Sequence, residues 1–127
     1  MESVKFAQIR QLLDKSQSEL AKLLCVSLPT IRSYEQGWRD IPAHAERHLL
    51  FVLSMKTAHL RNINYCWKIK QCPSSWRKQC TAWLYEAGNY CWFINGTYCQ
   101  GENQMTWGKK ITVCQQCEVF LSTFPDL

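Results

Sequence analysis

Hydrophobic and polar positions alternate with helical spacing through the first half of the chain. Between residues 16 and 37, Leu20, Ala21, Leu23 and Leu24 share one face while Gln17, Glu19 and Lys22 point away from it, so a short amphipathic helix is predicted. The pattern breaks at Cys25-Val26-Ser27. Ser27 is suited to cap a following helix, because its hydroxyl can accept from amides of the first turn, and Pro29 sits inside that turn. This second helix carries Ile31 and Tyr34 inward and Thr30, Arg32 and Ser33 outward. Before the pair, residues 3 to 14 predict a helix with Val4, Ile9, Leu12 and Leu13 inward, closed by Asp14-Lys15-Ser16. After it, Gln36 to Asp40 reads as a loop with Gly37 as the helix terminator. Pro42 then starts a fourth helix through Ala45, Leu49, Leu50, Val52 and Leu53, extending towards His59 or Arg61, with its distal part a candidate dimer contact. Residues 54 to 64 are polar enough to mark a boundary, which divides the chain into domains 1–60 and 61–127.

The second half is patterned by cysteine and tryptophan. Asn64-Tyr65-Cys66-Trp67-Lys68-Ile69 recurs as Asn89-Tyr90-Cys91-Trp92-Phe93-Ile94. Each copy is followed by a Cys, a Trp and a Cys: Cys72, Trp76, Cys80 and then Cys99, Trp107, Cys114, with Cys117 completing a Cys-x-x-Cys. Between the copies, residues 81 to 88 predict one short helix ended by Gly88.

Two helices joined by a tight turn make the geometry whose second helix enters a DNA major groove. Gln17, Leu20-Ala21, Val26-Ser27, Thr30-Ile31, Glu35-x-Gly37 and Pro42 resemble the phage-repressor (XRE) class of helix-turn-helix domains over roughly residues 5 to 55. Cys25 departs from that class, standing where a glycine of positive φ is usual. The resemblance implies contacts to double-stranded DNA from Gln17, Ser27, Leu28, Pro29, Thr30, Arg32, Ser33, Gln36 and Arg39. In that scheme Gln17, Ser27, Gln36 and Arg39 fix register on phosphates, Arg32 reaches guanine, and Leu28 or Pro29 touches a thymine methyl. Alternatives remain for single residues, since Leu28 can pack and Arg39 can pair with Asp40. The class also implies a homodimer on a palindromic operator with half-sites about one helical turn apart.

Cys66-Trp67, Cys72, Cys80, Cys91-Trp92, Ile94-x-Gly96-Thr97-x-Cys99-x-Gly101 and Cys114-x-x-Cys117 resemble the small cysteine-rich "two-CW" domain appended to bacterial regulatory proteins. One departure is Cys80-Thr81, where many members have Cys-Pro. Metal or iron-sulfur binding is only weakly implied by that resemblance.

The 127 residues, 46% hydrophobic and 20% charged, are globular in composition and suffice for one ordinary or two small domains. No apolar run approaches the roughly 18 residues of a membrane span, and the N-terminus reads as helix rather than signal peptide, so a cytoplasmic protein is expected. The net charge of +5 suits phosphate binding and a solvated surface equally. Cysteine changes the picture more: of eight in the chain, only Cys25 lies outside the 66–117 segment, and in a reducing compartment such clustering points to metal or redox chemistry.

Four thiolates from scattered loops can hold an iron-sulfur cluster, a [4Fe–4S] type being favoured, with flanking Trp and Tyr keeping water away. The candidate ligands are Cys114 and Cys117 first, then Cys66 and Cys91, then Cys72, Cys80 and Cys99. Zinc is the alternative, although structural zinc sites usually show two short Cys knuckles and here only Cys114-x-x-Cys117 has that spacing. Metal-free thiol switching and burial of some cysteines as small hydrophobes also fit. His44 and His48 lack the adjacent Glu of a metalloprotease, Cys114-Gln-Gln-Cys117 lacks the βαβ context of a thioredoxin dithiol, and the Trp residues suit a core better than a nucleic-acid stack.

The expected architecture is therefore a mainly α helix-turn-helix bundle of four to five helices, followed by a small loop-rich cysteine module stabilised by a metal centre. The expected protein is a transcription regulator rather than an enzyme, whose module senses redox state, oxygen, nitric oxide or iron. A structural zinc or protein-docking module, and a small electron carrier, are the competing readings.

Overall fold

The computed structural model describes residues 1–57, 71–88, 90–94, 97–99, 102–104, 106–125 and 127. The chain divides into two compact units, Met1–His59 and Leu60–Leu127. The expected extension of the fourth helix to His59 or Arg61, the first repeat copy with Cys66, and Gly96 and Gly101 lie outside the described residues.

The first unit contains α1 (Ser3–Leu12), α2 (Gln17–Leu24), α3 (Leu28–Gln36) and α4 (Ala43–Thr57). Its core takes Phe6, Ile9 and Leu13 from the first helix and its C-terminal edge, Leu20, Ala21 and Leu24 from α2, and Ile31 and Tyr34 from α3. The fourth helix adds Ala45, Leu49, Leu50 and Leu53. Burying such an apolar stripe contributes about 25 cal/mol per Å² removed from water, the main force holding four helices this short together. Phe6 and Tyr34 meet edge-to-face with centroids 5.6 Å apart. Val4, expected inward, is 78% exposed. The buried stripe of α1 is Phe6, Ile9 and Leu13, and Val4 lies two positions from Phe6, about 200° around the helix.

Caps set the limits of the helices. Ser16 and Glu19 form a reciprocal capping box at the start of α2, the Glu19 amide donating to Ser16 Oγ at 3.1 Å and the Ser16 amide to Glu19 Oε1 at 3.1 Å. Cys25 ends α2 in the left-handed region, at φ 55° and ψ 43°, and the Val26 amide closes the turn on the Ala21 carbonyl at 3.0 Å. The Thr30 amide donates to Ser27 Oγ at 3.3 Å to open α3, and Gly37 at φ 78° ends it. A Cβ at Gly37 would stand 3.2 Å from Ser3 Oγ, so both torsion and space favour glycine there. The Lys56 ammonium of α4 donates to the Leu12 carbonyl at 2.7 Å and to Asp14 Oδ2 at 2.8 Å, pinning α4 against the end of α1.

Within the described part of the second unit the helices are shorter: α5 (Ser74–Arg77), α6 (Thr81–Leu84), α7 (Trp107–Cys114) and α8 (Glu118–Thr123). A two-stranded antiparallel hairpin of β1 (Tyr98–Cys99) and β2 (Glu102–Asn103) pairs Tyr98 with Asn103 and Cys99 with Glu102. The helix expected over residues 81–88 is only α6. It stops at Leu84, and Glu86 takes φ 54°, so the chain turns before it reaches Gly88. Trp92, fully buried, is the centre of an aromatic cluster with Phe93, Phe120 and Phe124, the last with its ring centroid 5.2 Å away. Ala82, Cys91 and Val119 form an adjoining apolar cluster, with Cys80 and Cys117 packed on it.

Candidate nucleic-acid interface and candidate metal centre

The turn at Cys25 to Ser27 and the caps on either side fix how α3 follows α2. With Ile31 and Tyr34 buried, α3 turns Pro29, Arg32 and Gln36 to solvent, and Ser27 and Arg39 are exposed at its two ends. Leu28, Thr30 and Ser33 are half-buried. The Ser33 hydroxyl donates back to the Pro29 carbonyl at 2.9 Å, and the Thr30 hydroxyl lies 2.7 Å from that of Ser27. Gln17 is half-buried and already engaged: its Nε2 donates to Glu35 Oε2 at 2.7 Å.

That Glu35 carboxylate also receives the Arg10 guanidinium, through Nε on Oε1 and Nη2 on Oε2 at 3.3 Å. Side-chain exposure of 19% for Arg10 and 9% for Glu35 puts the fork in partly desolvated surroundings, where such a pair is stronger than on an open surface. Arg10 further donates to the Lys15 carbonyl at 3.0 Å. One carboxylate thus binds α1, α2 and α3 together. This network was not anticipated from the sequence, although Glu35 stood out in the helix-turn-helix pattern; the missing partner was Arg10, on the polar side of α1.

In the second unit, six cysteines line one cavity of about 130 Å³: Cys72, Cys80, Cys91, Cys99, Cys114 and Cys117. Trp76, Tyr98 and Thr97 complete much of its wall, and Trp76 and Tyr98 pack with centroids 6.1 Å apart. Local structure explains the convergence. Cys80 and Cys117 are the residues just before α6 and α8, Cys99 ends β1, and Cys114 ends α7. The Cys114–Cys117 pair spans the corner between α7 and α8, where the Cys117 amide donates to the Cys114 carbonyl at 2.9 Å. The cysteine triplets that recur in sequence occupy different local structures, Cys72 and Cys80 flanking α5 and Cys99 lying in a strand.

None of the seven described cysteines, Cys25 included, is joined in a disulfide. Among the described residues, no three side chains of His, Cys, Asp or Glu stand close enough together to hold a metal ion as they are placed. The all-sulfur donor set suits a soft metal, and uptake requires the thiols to draw in and lose their protons. Burial pushes the Cys114 thiol up to about 11 and raises Cys99, in each case against the lowering effect of the positive charge on Lys110. A hydrogen bond from Thr97 also favours the Cys99 thiolate.

Lys110 was not singled out from the sequence, yet only 1% of it is exposed, and its Nζ donates to Thr97 Oγ1 at 2.6 Å. The visible signal was its place on α7, where Lys110, Ile111 and Cys114 share the buried face. His44 and His48 are both exposed on α4, as a solvated helix face would be. Among the described residues no helix is long and apolar enough to cross a membrane.

No curated protein and no solved structure matches the chain significantly. Residues 6–43, from the second turn of α1 to the first residue of α4, match the helix-turn-helix family model, so the segment that carries the capped α2–α3 pair is similar to that family.

Proposed function

We propose that this chain is a transcription regulator that binds double-stranded DNA through α3 and carries an iron-sulfur centre in its cysteine cavity. The observation that carries the first half is the capped α2–turn–α3 unit with Arg32 and Gln36 exposed on the second helix, within the segment matched to the helix-turn-helix family. Arg32 reads a base edge, while Ser27, Gln36 and Arg39 contact phosphates. A homodimer places two copies of α3 on a palindromic operator.

The second half rests on six thiols facing one cavity. A lone zinc ion with four sulfurs at about 2.3 Å fills the space between its ligands. A cavity of about 130 Å³ has room for more than a single ion, and only Cys114-x-x-Cys117 has the spacing of a zinc knuckle, so a polynuclear cluster is the favoured reading. Trp76 and Tyr98 in the wall limit water at such a centre. When bound, the cluster supplies electron transfer and sensitivity to oxidants. Cys114 and Cys117, at a single helix corner, would supply two of its ligands, and the others would come from Cys72, Cys80, Cys91 and Cys99.

Anaerobic reconstitution with iron and sulfide, followed by metal and sulfide analysis and a visible spectrum, tests the centre. Protein that incorporates neither defeats this part of the reading, and zinc incorporated in place of iron transfers the site to the structural-metal alternative. Operator selection from random duplexes, then titration with reduced and air-exposed protein, tests the regulator. Equal affinities in the two states would separate DNA binding from any redox signal.

A further inference from the structure

The cavity has a cation beside it that neither the helix-turn-helix fold nor the cysteine pattern calls for. Lys110 is 1% exposed on α7, and its one hydrogen bond among the described residues goes to Thr97 Oγ1, at 2.6 Å. No carboxylate among those residues pairs with it. An ammonium has three protons to place, and burying its charge without a counter-charge is strongly unfavourable. Among the described residues, the groups that feel its charge and can themselves become negative are the Cys99 and Cys114 thiols. Thr97, itself fully buried, lines the thiol cavity, accepts from Lys110, and hydrogen-bonds the Cys99 side chain. A threonine hydroxyl can accept from an amine and donate its own proton to a thiolate at once. The three side chains therefore form a directed chain, Lys110 to Thr97 to Cys99, that ends on the cavity wall.

We propose that Lys110 and Thr97 are positioning residues that supply the internal counter-charge of an anionic metal–thiolate centre in the cysteine cavity, with Thr97 carrying the effect to the Cys99 sulfur. This rests on the metal-centre reading above. Four thiolates around either an iron-sulfur core or a divalent ion leave a net negative complex, and a buried cation at this place favours its assembly. With an iron-sulfur core it also favours the more reduced, more negative state, and so raises the potential.

The test uses full-length protein reconstituted anaerobically with iron and sulfide, in wild-type form and as Lys110→Met, Thr97→Val and Thr97→Ser. Lys110→Met keeps length and removes charge; Thr97→Val keeps shape and breaks the hydrogen-bond chain; Thr97→Ser restores the hydroxyl. Lys110→Met and Thr97→Val are expected to lower the reduction potential and to weaken retention of iron against a chelator by about 10- to 100-fold, as loss of partners outside the ligand set typically does. Thr97→Ser should behave as wild type. Circular dichroism confirms that each variant is folded. If Lys110→Met does not fold, the Thr97→Val and Thr97→Ser pair decides alone. Wild-type potential and iron retention in Thr97→Val overturn this proposal and leave the metal centre standing, whereas a wild-type chain that takes up no iron overturns the centre and the counter-charge together.

Discussion

Cys25 occupies a left-handed turn, at φ 55° and ψ 43°, where a side chain beyond Cα is a liability. An L-residue there carries about 1 to 2 kcal/mol of steric cost. Because Cys25 is exposed, little burial energy offsets it. Replacing it by glycine removes the strain but loosens the unfolded chain by about 0.5 to 1 kcal/mol. The difference leaves Cys25→Gly more stable by about 0.5 to 1 kcal/mol. For a unit of this size that corresponds to a rise in Tm of roughly 2 to 8 °C. Cys25→Ala is the necessary control, because it deletes the thiol and keeps the Cβ. Thermal unfolding of the full chain under reductant, followed by circular dichroism, should place Cys25→Gly above both the wild type and Cys25→Ala, with those two close together. A glycine variant no more stable than the alanine variant would refute the strain argument and show that the α2–α3 turn relaxes around a side chain at no cost.

Three further outcomes are expected. Arg32→Ala should cost about 1 to 3 kcal/mol of operator affinity and relax preference at one base pair, since Arg32 is exposed on α3 and has no fold-stabilising burial to lose; a gel-shift titration checks both effects. Lys56 holds the Asp14 carboxyl below its ordinary value of 3.8, first through the hydrogen bond and then through charge, so its stabilising effect is present above that value and fades as pH falls through the lower folded value. Asp14→Asn should therefore reduce stability at neutral pH and make no difference in strong acid, as read from urea midpoints across pH. The Cys114 thiol, raised by burial to about 11, should be alkylated far more slowly than exposed Cys25 at pH 8 when metal-free protein is mapped by mass spectrometry. Because the unfolded thiol ionises near 9.0, this group's contribution to stability is complete below that value and falls as pH rises towards 11.

The first unit was the more legible in sequence because its signals are local. Ser27 and Pro29 at a helix start, Gly37 at a helix end and the Leu20-Ala21-Leu24 stripe each dictate geometry within a turn or two, and the structure has these caps and this stripe. Val4 misled because the apolar residues of α1, Val4, Phe6, Ala7, Ile9 and Leu12, are spread around the helix, and such a weak stripe can be read in more than one register until Phe6 meets Tyr34 across the core. The Arg10–Glu35–Gln17 network links residues up to twenty-five positions apart, which no periodicity encodes. In the second unit, cysteine spacing announced a cluster but not its shape. Cys72 and Cys114 reach the same cavity from loop and helix, and Thr97 and Lys110, thirteen positions apart, become neighbours only through the tertiary fold.

If α3 reads DNA as proposed, the Glu35 carboxylate, clasped by a guanidinium from one helix and an amide from another, has a consequence for how it would meet a duplex. A probe whose angle is set before contact spends little of its attraction on becoming ordered, so encounter and recognition collapse into nearly one event. Discrimination between operators then falls to the side chains along the probe's outer edge, and to the compliance of the duplex itself.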